Sequence, residues 1–278
     1  MIKLIDGRKL AEKVKDKIAL EVFDSVKNGE AHPSLAILLV GSRPDSQLYV
    51  RLKEREAKKL GIDTYLYELD ETTSEDEIIE TIKFLNNDDT IDSVLVQLPL
   101  PENIDTDKVM SVLDPKKDAD GFLDNHPENV ISPVLASVKM MLDSTKIKAK
   151  ELSAGALYNS DVFGEALKKL LSDYGFKEVK GITARDAQEV AKISETVDVL
   201  VSAIGAPFFI KESMIKHDAV LIDVGTTQVG DKICGDIDFD NVKEKASYIS
   251  PVPGGVGPMT IAFLFQNVLN IYKNKKTA

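Results

Sequence analysis

The 278 residues carry 35 basic against 46 acidic side chains, a net charge of −11, and 43% of them are hydrophobic. At roughly 100–200 residues per domain this length predicts two globular domains, and so acidic a balance disfavours nucleic-acid binding, which needs a basic field. The lone cysteine, Cys234, excludes an internal disulfide and paired-cysteine zinc sites, and no apolar run reaches the roughly 18 residues of a membrane span.

His32, His126 and His217 stand far apart and show no metal-ligand spacing, so no metal is expected. The opening MIKLIDGRKL is charged from residue 3, unlike a secretory leader. A reducing, cytoplasmic setting is the expectation.

In chain order, Leu10, Val14, Ile18, Val22 and Val26 recur every four residues and predict a helix. LAILLV (35–40), bounded by Pro33 and Gly41, predicts a buried parallel strand. DSQLYVRLKEREAKKL (45–60) predicts a helix with Asp45 as N-cap and Gly61 as its stop. DTYLYEL (63–69) predicts a strand, and SEDEIIETIKFLNN (74–87) a helix opened by a capping box from Ser74 to Glu77. DSVLVQLPL (92–100) predicts a strand ending in prolines. Further strands are expected at 150–156, 176–183, 197–205 and 219–225, with helices over 162–175 and 258–274, the last opening at Pro258. Strands alternating with helices imply an α/β fold of βαβ units with parallel sheets. The turn-rich DPKKDADGFLDNHPENV (114–130) marks a boundary. Residues 1–118 with the returning 259–278 are expected to form one domain and 119–258 the other, with a cleft between them.

Four segments carry candidate chemistry. Tyr49 and Lys53 are four apart on one helix face, with Ser46 on the same side. A lysine facing a cleft loses hydration, and its pKa falls towards the range of an acid–base catalyst. Tyr49 offers a flat ring for stacking. A solvated helix face is the competing reading, since Arg51, Lys58 and Lys59 share the helix. Gln97 is polar where its strand should be apolar, at the carboxyl end where open α/β sheets bind ligands. It equally suits an amide satisfied by backbone. KDADGF (117–122) sets two carboxylates before a glycine turn, either to accept a planar amide edge or to build an Asx-turn. In SPVPGGVGPMT (250–260), Gly254, Gly255 and Gly257 framed by Pro251, Pro253 and Pro258 make a stiff loop that lets main chain approach a ligand. The strand–turn–helix at 150–175 has the order of a dinucleotide site. Its GALYNSDVFG lacks G-x-G-x-x-G, and Asp161 competes with phosphate at the helix start.

Together GSRPDSQLYVRLKERE, VLVQLPLP, DPKKDADGF, VDVLVSAIGAPFFI, AVLIDVG, GDIDF and YISPVPGGVGPMTIA resemble the bifunctional methylenetetrahydrofolate dehydrogenase/cyclohydrolase family over essentially the whole chain. The resemblance implies a second domain that is Rossmann-like and binds nucleotide, and a homodimer paired through it. It implies oxidation of 5,10-methylenetetrahydrofolate with NADP, or alternatively NAD, and hydrolysis of the methenyl product to 10-formyltetrahydrofolate. Lys53 matches the catalytic lysine, Gln97 the glutamine that tunes it, Tyr49 the tyrosine beside the pterin, and Asp120 the carboxylate that holds the ring. Ser46, Leu98, Pro99, Pro253, Gly254, Gly255, Gly257, Pro258 and Thr260 complete the substrate set that it implies. Asn159, Ser160, Gly164, Arg185, Ala203, Ile204, Gly205, Gly225 and Thr226 form the cofactor set.

The pattern departs from the family in the nucleotide half. Where G-R-S-x-x-V-G-x-P is usual, the chain has Tyr158, Asn159, Ser160, Asp161, Val162, Phe163, Gly164, Glu165 and Ala166. The usual P-C-T-P is Val130, Ile131, Ser132 and Pro133, and a histidine–serine pair is Thr183 and Ala184, followed by Arg185. Arg185 can restore the missing positive charge. Two alternatives stay open: a mainly hydrolytic enzyme with a weakened or NAD-dependent dehydrogenase, and a pterin-binding protein without catalysis. Folate and modified pterins suit the same residues.

Overall fold

A computed structural model describes residues 3–123, 125–183 and 187–277. The chain runs β1 (Lys3–Leu4), α1 (Gly7–Lys27), β2 (Ser34–Val40), α2 (Pro44–Leu60), β3 (Asp63–Leu69), α3 (Glu75–Asn87), β4 (Ser93–Val96), α4 (Thr106–Met110) and α5 (Pro133–Thr145). It continues β5 (Ser153–Tyr158), α6 (Asp161–Tyr174), β6 (Glu178–Thr183), α7 (Ala187–Ser194), β7 (Val199–Ala203), β8 (Val220–Asp223), β9 (Thr227–Val229), β10 (Lys232–Cys234), α8 (Phe239–Val242), β11 (Tyr248–Ile249) and α9 (Val256–Thr277). Two compact units emerge, one of Met1–Ala11 with Val134–Thr260 and one of Glu12–Pro133 with Ile261–Ala278.

The second of these units holds a three-stranded parallel sheet in the order β3-β2-β4. All seven residues of β2 are buried, as an apolar run without alternation requires when both faces are covered. Ile78, Ile82 and Leu85 of α3 pack there with Leu38, Val94 and Val96. The Ser74–Glu77 capping box forms as expected, and Gly61 ends α2 at φ +73°. Asp45 is not the N-cap of α2. Arg43 takes that place because Pro44, with no N–H to satisfy, fills the first helical position, and the Asp45 carboxylate instead pairs with Arg43 at 2.8 Å. The strand expected over 92–100 stops at Val96, where the sheet pairing ends.

The other unit holds a six-stranded parallel sheet in the order β1-β11-β8-β7-β5-β6. β5 runs on to Tyr158, two residues past the expected end, because Tyr158 pairs with both Thr183 and Ala203. Strand order reverses at β5, with β6 on one side and β7 on the other. That reversal is a topological switch point, where open α/β sheets carry ligands at the strands' carboxyl ends. The short β9–β10 hairpin and β1 were not expected from the sequence. The last helix begins at Val256, so Pro258 lies third in it rather than first; the first turn leaves its N–H groups unpaired and accepts proline there. No helix among the described residues is long and apolar enough to cross a membrane.

Candidate active site

In the three-stranded unit, helix α2 brings Lys53 to the end of β4. Its Nζ donates to Gln97 Oε1 at 2.7 Å, and Gln97 Nε2 donates to the Leu98 carbonyl at 2.7 Å. Gln97 is 9% exposed, and its backbone N–H donates to Leu38, so its amide is held from two sides. The Leu98–Pro99 peptide is cis. Ser46 is buried on α2, while Tyr49 is 36% exposed.

Asp120 is set by the turn before it. Asp118, 1% exposed, accepts from the backbone N–H groups of Asp120 at 3.0 Å, Phe122 at 2.7 Å and Leu123 at 2.8 Å. It also bridges to Val94 of β4. The buried Asn267 of α9 clasps the same loop, with Nδ2 donating to Ala119 O at 2.9 Å and Ile131 O at 2.8 Å. Its Oδ1 accepts from Ile131 N–H at 3.2 Å. Of the two readings of KDADGF, the Asx-turn belongs to Asp118. Among the described residues no hydrogen bond reaches the Asp120 carboxylate, which is left free for a ligand.

Charge follows from this packing. Loss of water lowers the Lys53 pKa, against the opposing pull of Asp120. Desolvation raises the Asp120 carboxyl to about 6, with Lys53 lowering it and Asp118 raising it. Burial likewise raises Asp118, opposed by the N–H groups it accepts. Tyr49 is raised by burial and by Asp45. A partly desolvated amine, an amide acceptor on it and a carboxylate with spare lone pairs form an arrangement suited to moving protons beside an amide-rich heterocycle.

The six-stranded unit carries the residues expected at the cofactor. Asn159 Nδ2 donates to Ile204 O at 3.0 Å, spanning the switch point between β5 and β7. Ser160 is the N-cap of α6 without a side-chain cap bond, and Asp161 lies in the first turn. A Cβ on Gly164 would stand 2.4 Å from the Tyr158 ring, so the buried tyrosine occupies the space that a glycine at 158 would leave free. Gly205 turns at φ +68° after Ala203 and Ile204. Gly225 and Thr226 follow β8, Gly225 buried and Thr226 exposed. These carboxyl-end loops suit a dinucleotide, except that Asp161 sets a negative charge where a helix start would attract phosphate. Arg185 lies outside the described residues.

The 250–260 loop belongs to this same unit. Val252–Pro253 is cis and Gly254 has φ +113°. A Cβ on Gly255 would meet the Pro251 carbonyl at 2.5 Å, so the chain folds back on itself there and only glycine fits. Gly257 O accepts from the Thr260 hydroxyl at 2.7 Å, inside the helical turn that also holds Pro258.

Sequence reasoning missed Asn267 and the buried aspartates Asp223 and Asp236. Burial raises the Asp223 carboxyl to about 7, with Asp236 adding to the rise and backbone N–H donors opposing it. GDIDF, which contains Asp236, was the available signal.

Comparison with known proteins gives the family. The family model described as tetrahydrofolate dehydrogenase/cyclohydrolase, catalytic domain, matches residues 5–120, and the one described as its NAD(P)-binding domain matches 133–276. A bifunctional protein FolD from a Nitratiruptor species is 40% identical, the match covering 99% of each chain. The Trypanosoma brucei N5,N10-methylenetetrahydrofolate dehydrogenase-cyclohydrolase, solved with NADP cofactor and inhibitor, superimposes with TM-score 0.94 at 30% identity, covering 100% of this chain and 99% of that one. The Campylobacter jejuni bifunctional FolD gives TM-score 0.92 at 31% identity, covering 99% and 100%. The chain belongs to the tetrahydrofolate dehydrogenase/cyclohydrolase family.

Proposed function

We propose that this chain oxidises 5,10-methylenetetrahydrofolate with NADP and hydrolyses the resulting methenyl cation to 10-formyltetrahydrofolate, as a cytoplasmic homodimer serving one-carbon metabolism. The observation that carries the reading is the 2.7 Å Lys53–Gln97 contact beside the unbonded Asp120 carboxylate. Asn159, Ser160, Gly164, Ala203–Gly205, Gly225 and Thr226 are the groups that would hold the nucleotide, whose nicotinamide supplies a hydride acceptor when bound.

Lys53 does the proton work of the hydrolytic step. Its lowered pKa raises the fraction of free amine. The amine takes a proton from the water that adds to the methenyl carbon, and returns one to the ring nitrogen as the carbon–nitrogen bond opens. The balance is one water consumed and one proton released. Gln97 holds the amine in place through Oε1 and is itself oriented by the Leu98 carbonyl. Asp120 accepts N–H groups of the pterin edge and, while charged, keeps the Lys53 pKa from falling further. Tyr49 stacks on the ring.

Absorbance assays on the purified chain test this. Methylenetetrahydrofolate with NADP should yield reduced nucleotide, and methenyltetrahydrofolate without nucleotide should lose its absorbance. A second reading, a mainly hydrolytic enzyme, draws on Tyr158 packed at Gly164 and on Asp161 at the start of α6. Hydrolysis with no reduction of NADP or NAD favours that second reading; neither activity overturns both.

A further inference from the structure

Two buried aspartates lie under the proposed cofactor loops, and neither reaction uses them. Asp236, wholly buried, accepts from the Ser202 hydroxyl at 2.9 Å and the Ile204 N–H at 2.8 Å through Oδ2, and from the Ala206 N–H at 2.9 Å through Oδ1. Asp223, 3% exposed at the end of β8, accepts from the N–H groups of Gly225 at 3.0 Å and Asp236 at 3.1 Å through Oδ1. Its Oδ2 accepts from Ile237 N–H at 2.9 Å. One carboxylate therefore ties down the loop after β7. The other ties down the loop after β8 and the backbone of the first.

Packing leaves this clasp no slack. A Cβ on Gly225 would lie 2.3 Å from the Asp236 carboxylate, and one on Gly235 would lie 2.1 Å from Asp223 Oδ2. Each glycine clears the space that a carboxylate occupies. The carbonyl side of the β7 loop is held as well, with Ile204 O accepting from Asn159 and Gly205 O from the Thr227 hydroxyl at 3.3 Å. Buried carboxylates are costly unless their lone pairs are filled, and here the filling groups, apart from the Ser202 hydroxyl, are main-chain N–H groups, those of Ile204, Ala206 and Gly225 lying in two ligand-facing turns.

We propose that Asp236 and Asp223 are positioning residues for the dehydrogenase step, fixing the main chain of Ile204–Ala206 and Val224–Thr226 in the form that receives the nucleotide. The inference rests on reading those loops as the cofactor site. It assigns the pair no contact with nucleotide or substrate. The two activities on one chain separate this role from a merely structural one, since hydrolysis needs no nucleotide.

The experiment is calorimetric titration of the purified full-length Asp236→Asn protein with NADP, alongside both activity assays. An amide in place of the carboxylate must turn an N–H towards main-chain donors. NADP affinity should then fall about tenfold, ~1.4 kcal/mol, with the dehydrogenase KM for NADP rising in step and kcat changing less. Nucleotide-free hydrolysis should stay within about twofold. In the nucleotide-free protein, hydrogen exchange at the Ile204 and Ala206 amides should quicken. Thr226→Glu is the control for the loop itself, since a carboxylate on that exposed position repels phosphate. If Thr226→Glu weakens NADP binding and Asp236→Asn does not, the positioning role is overturned while the cofactor site stands. If neither weakens it, the cofactor loops are misassigned and the inference falls with them. Should Asp236→Asn lose hydrolysis too, through failure to fold, Ser202→Ala decides. Loss of that single hydroxyl should weaken NADP about threefold with hydrolysis kept, and unchanged affinity overturns the proposal.

Discussion

The turn at Asp118–Asp120 and the pair Asp223–Asp236 use buried carboxylates differently. In the three-stranded unit one aspartate is consumed by backbone so that its neighbour need not be. Asp118 takes the N–H groups of Asp120, Phe122 and Leu123, and Asp120 is left with the Lys53 charge and no hydrogen bond among the described residues. In the six-stranded unit both aspartates are consumed, and what they hold out is main chain. The first arrangement presents an unbonded carboxylate beside a desolvated amine; the second presents a shaped backbone. An acid–base step needs a group whose protonation can change, whereas holding a nucleotide needs N–H and C=O groups that do not move.

The largest expected effect tests the reactive side. Lys53→Met keeps length and removes the amine, and should cut hydrolysis by about 10²–10⁴-fold, the range of acid–base catalysis. The melting temperature should hold or rise, since a desolvated charge has been removed. Hydrolysis that persists undiminished would show that Lys53 is not the acid–base group and end the contrast; hydrolysis absent from wild type and variant alike, with pterin binding kept, would make this chain a binder. Next comes the supporting carboxylate. Asp118→Ala leaves the three N–H groups without their acceptor, at about 1–3 kcal/mol for each that stays buried, so chemical denaturation should show a loss of about 3 kcal/mol. Hydrolysis should fall with it, because Asp120 loses its setting. Asp223→Ala should lose comparable stability and yet, where the protein still folds, leave hydrolysis in place. If the two variants impair hydrolysis equally, the division of labour drawn above is wrong.

How much of this was legible in the sequence depends on the range of the signal. Lys53 and Tyr49 could be placed together because helical period puts residues four apart on one face, and Gln97 stood out as a polar residue closing an apolar strand. The capping box at Ser74 needs only three residues to declare itself. Asp45 was misread as an N-cap because proline's fit to the first helical position outweighs a side-chain cap one residue further on. The β9–β10 hairpin has strands of three residues, too short to show alternation. Asn267, and what Asp236 does within the GDIDF motif, went unread for another reason. Apart from the Ser202 hydroxyl, their partners are main-chain groups at Ala119, Ile131, Ile204 and Ala206, far along the chain, and a carbonyl or N–H leaves no mark on residue type. Tyr158 could be seen to break the glycine pattern, but its packing on Gly164 follows only from β5 running through it.

The smallest effect sharpens the comparison most directly, because it asks what leaving Asp120 unbonded does to stability. An ordinary aspartate titrates near ~3.9, and in the folded chain Asp120 is raised to about 6. Between those values the folded state holds more of the proton than the unfolded state does. Stability from this group is therefore present below about pH 4 and is lost as pH rises through about 6. Asp120→Asn removes the term. Relative to wild type, the variant should gain melting temperature as pH climbs from 4 to 6 and keep that gain at pH 7, while hydrolysis should suffer from loss of the pterin contact proposed for Asp120. The opposite slope, with the variant losing ground over the same window, would mean that the Lys53 ammonium outweighs desolvation and that the two form a stabilising ion pair. Asp120 would then be a paired carboxylate rather than one left with spare lone pairs, and the contrast between the two units would lose its first half.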